Sequence, residues 1–377
     1  MHPQKGVPLD PLAYWIGFNR VRGIGPARLR ALLGAFGSVD EAWQAPAAGL
    51  EHAGLDRRSL ANLMKARTEL DLARELDAVL ALGIRLITWD DAIYPERLAA
   101  IGDAPPLLYV LGDLLQSDDW AVAIVGTRQA SAYGREAARI IAGELAGAGV
   151  TIISGMARGI DTQAHKSAME AGGRTFAILG SGLDVIYPWE NRGLAAEIAA
   201  HGALISEYPL GTQPEASNFP PRNRIISGLS RGVIVVEAGE KSGALITADF
   251  AADQGRDVFA VPGSIFQRGS KGTNRLIRDG AQPVLSANEV LEALNMTSAA
   301  QHIEARMLLP TDATEARLLE YLGEEPVHVD EVVRAAGMPV ANVSSTLALM
   351  ELKGLVRQVG GMTYIRAREA GPVYKLD

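Results

Sequence analysis

Four glycine-rich turns follow short apolar runs, and three of them carry arginine or lysine, a combination that suits phosphate binding. The turns are Gly126-Thr127-Arg128, Ser154-Gly155-Met156-Ala157-Arg158-Gly159, Gly180-Ser181-Gly182 and Gly239-Glu240-Lys241-Ser242-Gly243. Glycine lets the backbone approach an anion closely, and the N–H groups at the start of a following helix point toward it. Any single turn is explained by the need for Gly and Ser between a strand and a helix. As a set with cations attached, the turns predict an anion-binding groove.

An aromatic residue accompanies two arginines in a second stretch, which contains Phe219, Arg222, Asn223 and Arg224. Residues 218–278 hold nine Lys or Arg and five Asp or Glu, a net charge of +4 in a chain of net charge −8. A basic groove with an exposed ring suits a single-stranded polynucleotide, because stacking contributes about 1–3 kcal/mol per base in any sequence. From the residues alone, a core position for Phe219 and ordinary surface positions for the arginines are equally good explanations.

Other chemistries have fewer matching residues. Asp161 and His165 stand four apart on a predicted helix, which suits an acid–base pair or half of a metal site. No third ligand or nucleophile accompanies them, so a hydrogen-bonded pair at a helix start is favoured. The chain has no cysteine, which excludes disulfides, thiol nucleophiles and cysteine-type zinc sites. The NAD-binding glycine pattern does not follow the first strand, and Ser270-Lys271 reverses the order found in ATP-binding P-loops.

The elements that must position these turns repeat from about residue 120 onward. Short, nearly all-apolar runs predict strands buried on both faces, at Ala121–Val125, Val150–Ser154, Thr175–Leu179, Ala203–Ser206, Gly232–Val236 and Val258–Val261. Segments of helical period separate most of them, at Glu136–Leu145, Thr162–Ala171 and Ala244–Gln254. This alternation predicts an α/β fold, a Rossmann-like doubly wound parallel sheet. Ligands of such sheets bind at the carboxyl ends of the strands, where the cationic turns lie.

The regions on either side of the predicted sheet have a different character. Residues 1–83 have the pattern of a small all-helical domain, and 84–295 form the Rossmann-like domain that carries the groove. The polar stretch 296–314 is typical of a linker. Three short helices and a glycine-turned hairpin within 315–377 predict a winged-helix domain.

Charge and hydropathy limit the location and the partners. The net charge of −8 excludes a uniformly basic coat for nucleic acid but permits a local basic patch. The N-terminus has no apolar signal core, and no run approaches the ~18 apolar residues that span a membrane. We therefore expect a cytoplasmic protein with no membrane partner.

Five segments resemble the DNA-processing protein A (DprA/Smf) family. They are Ala123–Arg128, Ser154–Asp161 with Ala164-His165, Phe219–Ile226, Glu237–Gly243 with Thr247-Ala248, and Asp257–Gly263. The resemblance spans about residues 85–285. The helical region at 1–83 is similar to that family's sterile-alpha-motif-like (SAM-like) domain, and the tail at 315–377 to its winged-helix domain.

This resemblance implies a homodimer, formed through the Rossmann-like domain, that binds single-stranded DNA of any sequence during natural transformation. It further implies that the protein loads the RecA recombinase onto this DNA with no catalysis, cofactor or metal. The residues implied for DNA binding are Gly126, Thr127, Arg128, Ser154, Gly155, Arg158, Gly159, Phe219, Arg222, Asn223, Arg224, Lys241, Ser242 and Gly243. In this scheme Phe219 stacks a base and Arg128 holds a phosphate. Arg222, Arg224 and Lys241 follow the sugar–phosphate backbone.

Two other functions fit parts of the sequence. The nucleotide phosphoribohydrolases have a similar sheet, but here Pro262-Gly263-Ser264 and Gly272-Thr273 stand in place of their intact P-G-G-x-G-T loop. A purely architectural recombinase adaptor is the third alternative, and it would bind its partner without any affinity for DNA.

The two flanking regions each suggest a further DNA contact. Gly23-Ile24-Gly25-Pro26 resembles the turn of a helix-hairpin-helix module, with Arg20, Arg22, Arg28 and Arg30 around it, and a tight interhelical turn explains it equally well. The presumed recognition helix of the tail, Val340–Leu352, contains no Lys or Arg. Because major-groove binding needs phosphate neutralisation, a protein–protein role for the tail is at least as well supported.

Overall fold

The computed structural model describes residues 9–296, 313–323, 326–352 and 355–366. The chain divides into two compact units between Met296 and Thr297. Apart from residues 296, 313 and 314, the predicted linker lies outside the described residues. Within the described ranges, none of the helices combines the length and apolarity needed to span a bilayer.

The first unit begins with the helices that the periodicity predicts. They are α1 (Pro11–Arg20), α2 (Pro26–Phe36), α3 (Val39–Gln44), α4 (Ala47–His52), α5 (Arg57–Glu69) and α6 (Leu72–Ala81). Side chains of Asp10, Ser38, Asp56 and Asp71 accept hydrogen bonds from first-turn N–H groups and so define four of the helix starts. The buried ring of Phe18 meets Trp43 edge to face, with ring centres 5.1 Å apart.

The sheet of the first unit contains the predicted apolar runs. Its strands are β1 (Arg85–Thr88), β2 (Leu107–Gly112), β3 (Ala121–Val125), β4 (Thr151–Ser154), β5 (Thr175–Ile178), β6 (Gly202–Ser206), β7 (Gly232–Val235), β8 (Asp257–Ala260) and β9 (Gln282–Pro283). The accompanying helices are α7 (Glu96–Ala99), α8 (Ala132–Gly147), α9 (Ile160–Glu170), α10 (Arg192–His201), α11 (Phe219–Gly228), α12 (Gly243–Asp253), α13 (Lys271–Arg278) and α14 (Ala287–Ala293). Every residue of β3 to β7 is buried, which is why these strands are mostly apolar, with Ser and Thr as their polar residues.

The strand order is β1-β2-β6-β5-β4-β3-β7-β8-β9. All neighbours from β6 to β9 are parallel, and β1 and β2 add an antiparallel edge. The chain starts the parallel sheet at β3, builds outward to β6, and then returns to place β7 on the other side of β3. This confirms the predicted doubly wound sheet. The order reverses between β3 and β7, and open α/β sheets bind ligands at the carboxyl ends of the strands that flank such a reversal.

The N-terminal helices pack onto the sheet within the same compact unit. The Tyr109 hydroxyl on β2 donates to Asn19 Oδ1 at 3.2 Å, and the Asn19 amide donates to the Glu207 carbonyl at 3.1 Å. Trp15 on α1 meets Trp89 edge to face, with ring centres 6.3 Å apart. Residue 83 therefore ends the helical region of the sequence without separating two compact units.

The second unit has the winged-helix arrangement. Its described elements are α15 (Ala313–Glu320), β10 (Val327–His328), α16 (Val329–Ala336), α17 (Val340–Leu352), β11 (Val356–Gly360) and β12 (Thr363–Arg366). The strands follow the order β10-β12-β11. Gly360 and Gly361, with φ of 115° and 56°, form the hairpin turn, a backbone conformation that glycine adopts readily. Leu318, Val332 and Leu347 are fully buried between the helices.

Candidate nucleic-acid interface

A groove of about 750 Å³ lies where β3 and β7 end and α11 and α12 begin. We call it the strand-end groove. Of the residues predicted for DNA binding, it is lined by Gly126, Thr127, Arg128, Phe219, Arg222, Asn223, Lys241, Ser242 and Gly243. A small cleft adjoins it and shares Arg128, Phe219 and Arg222, and this cleft adds the predicted residues Gly155 and Arg158. The turns after β3, β4 and β7 therefore converge on one edge of the sheet.

The groove rim consists of Arg128, Lys241 and Phe219. Arg128 and Lys241 are exposed, and within the described part of the chain neither forms an ion pair. The backbone N–H of Thr127 donates to the Glu237 carbonyl at 2.7 Å, which ties the turn after β3 to the end of β7. The rim cations therefore stand on anchored backbone and have charge available for a ligand.

The Phe219 ring stands at the first residue of α11 and is half-buried. Guanidinium groups of Arg128 and Arg222 lie 5.5 and 5.8 Å from its ring centre. The Tyr187 ring lies 5.7 Å away at a tilted angle. An aromatic face framed by two cations combines the two contacts that unpaired nucleotides make, base stacking and phosphate attraction.

The groove floor contains Arg222 and Asp161, and His165 is fully buried without lining the groove. The Arg222 side chain is buried and donates from Nη1 to the carbonyls of Gly155, at 2.8 Å, and Ile178. It thereby holds the ends of β4 and β5. Burial lowers the pKa of Arg222 to about 10, so the guanidinium stays charged at neutral pH. Asp161 Oδ2 accepts from the N–H groups of Gly155, at 3.1 Å, and Ala157, at 3.3 Å.

Burial dominates the titration of the two ionisable groups that the sequence places four apart on α9. It raises the pKa of Asp161 to about 6 and lowers that of His165 to about 3. His165 Nδ1 lies 2.7 Å from the Thr175 hydroxyl, which donates to the Ile152 carbonyl, so Nδ1 carries the ring proton. Asp161 and His165 each bond to other groups, as expected of residues that support the fold rather than of an acid–base pair. Within the described ranges, no cluster of His, Asp and Glu suits a metal ion.

Helical geometry separates the two arginines that the sequence places together. Phe219, Arg222 and Ile226 are three and four residues apart on α11 and all line the groove. Arg224 lies 200° around the helix from Arg222, at about 100° per residue. Its guanidinium donates to both carboxylate oxygens of Glu207 at 2.7 Å. The structure therefore places Arg224 in a buried ion pair outside the groove, in contrast to the predicted position beside Arg222 and Lys241.

Two more of the predicted residues have roles in the fold. Ser154 is fully buried, and its hydroxyl donates to the Ile124 carbonyl at 2.6 Å, which links β4 to β3. Gly159 has φ of 79°, and a Cβ there would collide with the Thr127 carbonyl. Gly159 thus allows the turns after β3 and β4 to pack together. Neither residue lines the strand-end groove.

The basic segment 218–278 does not form one surface. Of its nine cations, Arg222 and Lys241 line the groove. Arg231 and Arg256 precede β7 and β8, at the opposite edge of the sheet. Arg275 and Arg278 lie within 4.0 and 3.1 Å of the Asp279 carboxylate. The positive charge of the rim comes from Lys241 of this segment and from Arg128, which lies far from it in sequence.

Tyr187 is a groove residue that the motifs and charges of the sequence did not predict. It lines both the groove and the adjoining cleft and is 39% exposed. The sequence contained one usable signal, since Tyr187 follows the turn after the third apolar run, at the carboxyl edge of the sheet. An aromatic residue that follows the end of a parallel strand is therefore a candidate groove residue, as a cation in the same position is.

The arginines around the N-terminal turn mostly have partners in the fold. Arg20 pairs with Glu75 at 2.6 Å, and Arg28 pairs with Asp56. Arg30 lies over the Trp89 ring, 4.6 Å from its centre. Among these positions Arg22 is exposed and has no ion pair among the described residues. A DNA contact at this turn remains a prediction.

Known protein families match both units. Residues 85–295 match the family model for DNA recombination-mediator protein A, and residues 304–362 match the DprA winged helix domain. The chain is 37% identical to a protein named Smf from Synechocystis sp., with 94% of this chain and 98% of that protein covered. It is 44% identical to Smf from Escherichia coli K12, with 76% and 78% covered.

Solved structures agree with the family match. DNA processing protein A (DprA) from Streptococcus pneumoniae has a TM-score of 0.67 and 36% identity, and the match covers 76% of this chain and 98% of that one. A structure that gives insight into the single-stranded DNA binding mode of DNA processing protein A from Helicobacter pylori has a TM-score of 0.52 and 32% identity, covering 57% and 98%. The chain belongs to the DNA recombination-mediator protein A (DprA/Smf) family.

Proposed function

We propose that this protein binds single-stranded DNA of any sequence in the strand-end groove and loads the RecA recombinase onto it, without catalysis of its own. The observation that carries the DNA-binding part is the groove rim. Two exposed cations without ion pairs among the described residues, Arg128 and Lys241, line the same groove as the ring of Phe219.

The rim residues suit the two parts of a nucleotide. Cations attract phosphates by releasing the counterions that surround DNA, and this attraction is independent of sequence. An aromatic face stacks on any base. Ser242 caps α12, so the positive end of an eleven-residue helix also faces the groove beside Gly243. No feature of this arrangement distinguishes one base from another.

The family supports the finer parts of the proposal. The Helicobacter pylori relative is a single-stranded DNA-binding protein of the same fold. We propose on the basis of the family resemblance that the protein functions in natural transformation in the cytoplasm, forms a homodimer through the Rossmann-like domain and loads RecA. The residues proposed to contact DNA are those of the groove and the adjoining cleft, with Ser154, Gly159 and Arg224 in supporting positions.

The salt dependence of binding tests the groove assignment. Fluorescence anisotropy with a labelled oligothymidine should show weaker binding for Arg128→Ala than for the parent. The slope of log Kobs against log salt should flatten by about 0.7, the value for one phosphate contact on a single strand. Arg139→Ala, which removes the same charge from the outer face of α8, should match the parent. If Arg128→Ala also matched the parent in affinity and slope, the groove would not be the binding site.

Two further assays test the remaining parts. Addition of the parent protein should shorten the delay before RecA assembles on the oligothymidine, and Arg128→Ala should shorten it less. Incubation with AMP should release no free adenine. Release at enzymatic rates would instead identify the protein as a nucleotide phosphoribohydrolase.

A further inference from the structure

The loop between β5 and α10 carries an exposed indole. The Trp189 side chain is 75% exposed. The other tryptophans of the chain contact an aromatic ring or a guanidinium, in the pairs Trp15–Trp89, Phe18–Trp43 and Arg231–Trp120. Trp189 makes no such contact with any described residue. A single exposed apolar residue needs no explanation, so the significance of Trp189 depends on its position.

The loop that carries Trp189 is firmly anchored. The Asn191 amide is buried and donates to the Met156 carbonyl at 2.9 Å and to the Thr162 hydroxyl at 3.0 Å. Further back in the loop, the Asp184 carboxylate accepts from the backbone N–H of Gly211 at 2.9 Å. Trp189 is therefore exposed on a backbone segment that these hydrogen bonds hold in place.

The loop also continues the strand-end groove. Tyr187 and Pro188 line the cleft that adjoins the groove, and the Tyr187 ring lies 5.7 Å from that of Phe219. Trp189 is two residues beyond Tyr187, so their Cα atoms are at most about 7 Å apart. On the other side of Trp189, Glu190 accepts from Arg158 Nε at 2.5 Å, and Arg158 also lines the cleft. Trp189 thus stands between two residues that connect to the cleft.

We infer that Tyr187 and Trp189 form a second stacking subsite for the bases of an unpaired strand, with Arg158 beside its phosphates. The strand passes from Phe219 over Tyr187 to Trp189, so the binding site is longer than the groove alone. This inference rests on the proposed DNA binding and specifies the path of the strand. An indole is a good platform for this purpose, because every base presents a face for stacking.

Oligothymidines of increasing length test the inference. On strands long enough to reach both platforms, Trp189→Ala should weaken binding by roughly 5- to 150-fold, whereas Trp189→Phe should recover most of the affinity. On the shortest strands that bind the parent, the loss should be small. The salt slope should not change, because no charge is removed. Trp120→Ala is the matched control and should leave binding unchanged, since Trp120 is 38% exposed but precedes β3, at the edge of the sheet away from the groove.

A second measurement locates the base that stacks on Trp189. Abasic sites placed in turn along the strand should weaken binding to the parent at one position and have no further effect there in Trp189→Ala. Equal binding by the parent and Trp189→Ala at every length would overturn the inference. A changed oligomeric mass in Trp189→Ala would also overturn it, because the indole would then contact another copy of the chain instead of a base. A parent that bound no strand of any length would contradict the proposed function instead.

Discussion

The rim and the floor of the strand-end groove both contain cations, but those of the rim are exposed to water and that of the floor is buried. On the rim, Arg128 and Lys241 project into water and have no ion pair among the described residues. On the floor, Arg222 is 4% exposed, and its Nη1 donates to the carbonyls of two strand ends. The role of a cation here therefore depends on its partners. Changes at the rim should alter ligand binding alone, whereas changes at the floor should alter the fold that presents the rim.

Of these substitutions, Arg222→Ala should lower the stability of the folded protein the most. It leaves two buried carbonyls without a donor and Asp161 without a nearby compensating charge. We expect a loss of about 3–5 kcal/mol in the free energy of unfolding. In a domain of this size that corresponds to a fall of roughly 10 °C in the midpoint of thermal unfolding, measurable by circular dichroism.

Arg224→Ala is the matched control for a buried arginine outside the groove. Loss of the bidentate pair with Glu207 should also lower the midpoint, but the folded protein should bind oligothymidine as the parent does. Arg128→Ala should leave the midpoint nearly unchanged, since surface substitutions usually cost less than about 0.5 kcal/mol. A rim variant that destabilised as much as Arg222→Ala would abolish the distinction between rim and floor.

Acid should lower the stability of the folded protein through the buried His165. Burial holds its pKa near 3 in the folded state, against an ordinary value of 6.5, so the unfolded chain binds the extra proton first as the pH falls. Asp161 acts in the opposite sense, because its raised pKa of about 6 makes the folded state take up a proton first. Comparison with His165→Gln cancels the Asp161 contribution.

The stability that His165 contributes is fully present above pH 6.5 and is lost as the pH falls toward 3. Between about pH 6 and pH 4, the parent should lose about 1.4 kcal/mol per pH unit relative to His165→Gln. Urea unfolding at a series of pH values measures this difference. A difference that stayed constant with pH would show that His165 titrates normally.

Phe219→Ala should weaken oligothymidine binding by about 5- to 150-fold, the range expected for one lost base stack. The salt slope should be unchanged, in contrast to the flatter slope of Arg128→Ala, because no charge is removed. Phe219→Tyr keeps an aromatic face and should bind nearly as the parent does. Anisotropy titrations at two or more salt concentrations separate the two rim contributions. An altered slope in Phe219→Ala would mean that the ring positions the cations rather than a base.

Of these substitutions, Glu190→Gln should change DNA binding the least, and it should strengthen binding rather than weaken it. The hydrogen bond from Arg158 holds the pKa of Glu190 below its usual range, so the carboxylate is ionised and partly neutralises that arginine. Its removal should tighten binding by about threefold and steepen the salt slope by about 0.7, as one cation becomes available. Glu136→Gln, which frees Arg139 on the outer face of α8, is the matched control and should leave binding unchanged.

Local pattern was sufficient to predict the parallel sheet and the edge at which the groove lies. The apolar runs that became β3, β4 and β7 are buried on both faces, so their residue types indicate strands without reference to the rest of the chain. The ends of parallel strands meet at one edge of a sheet, and the cationic turns after them were therefore expected to lie together. The groove between the ends of β3 and β7 agrees with that expectation.

Residue type did not reveal which cations would be available to a ligand. Arg222 and Arg224 look alike in the sequence, but the turn of α11 directs one toward the groove and the other toward Glu207. The exposure of Trp189 and the burial of Asp161 likewise depend on segments that are distant along the chain. Alternation of strands and helices is a short-range property of the sequence, whereas pairing and burial depend on long-range contacts that form only when the chain has folded.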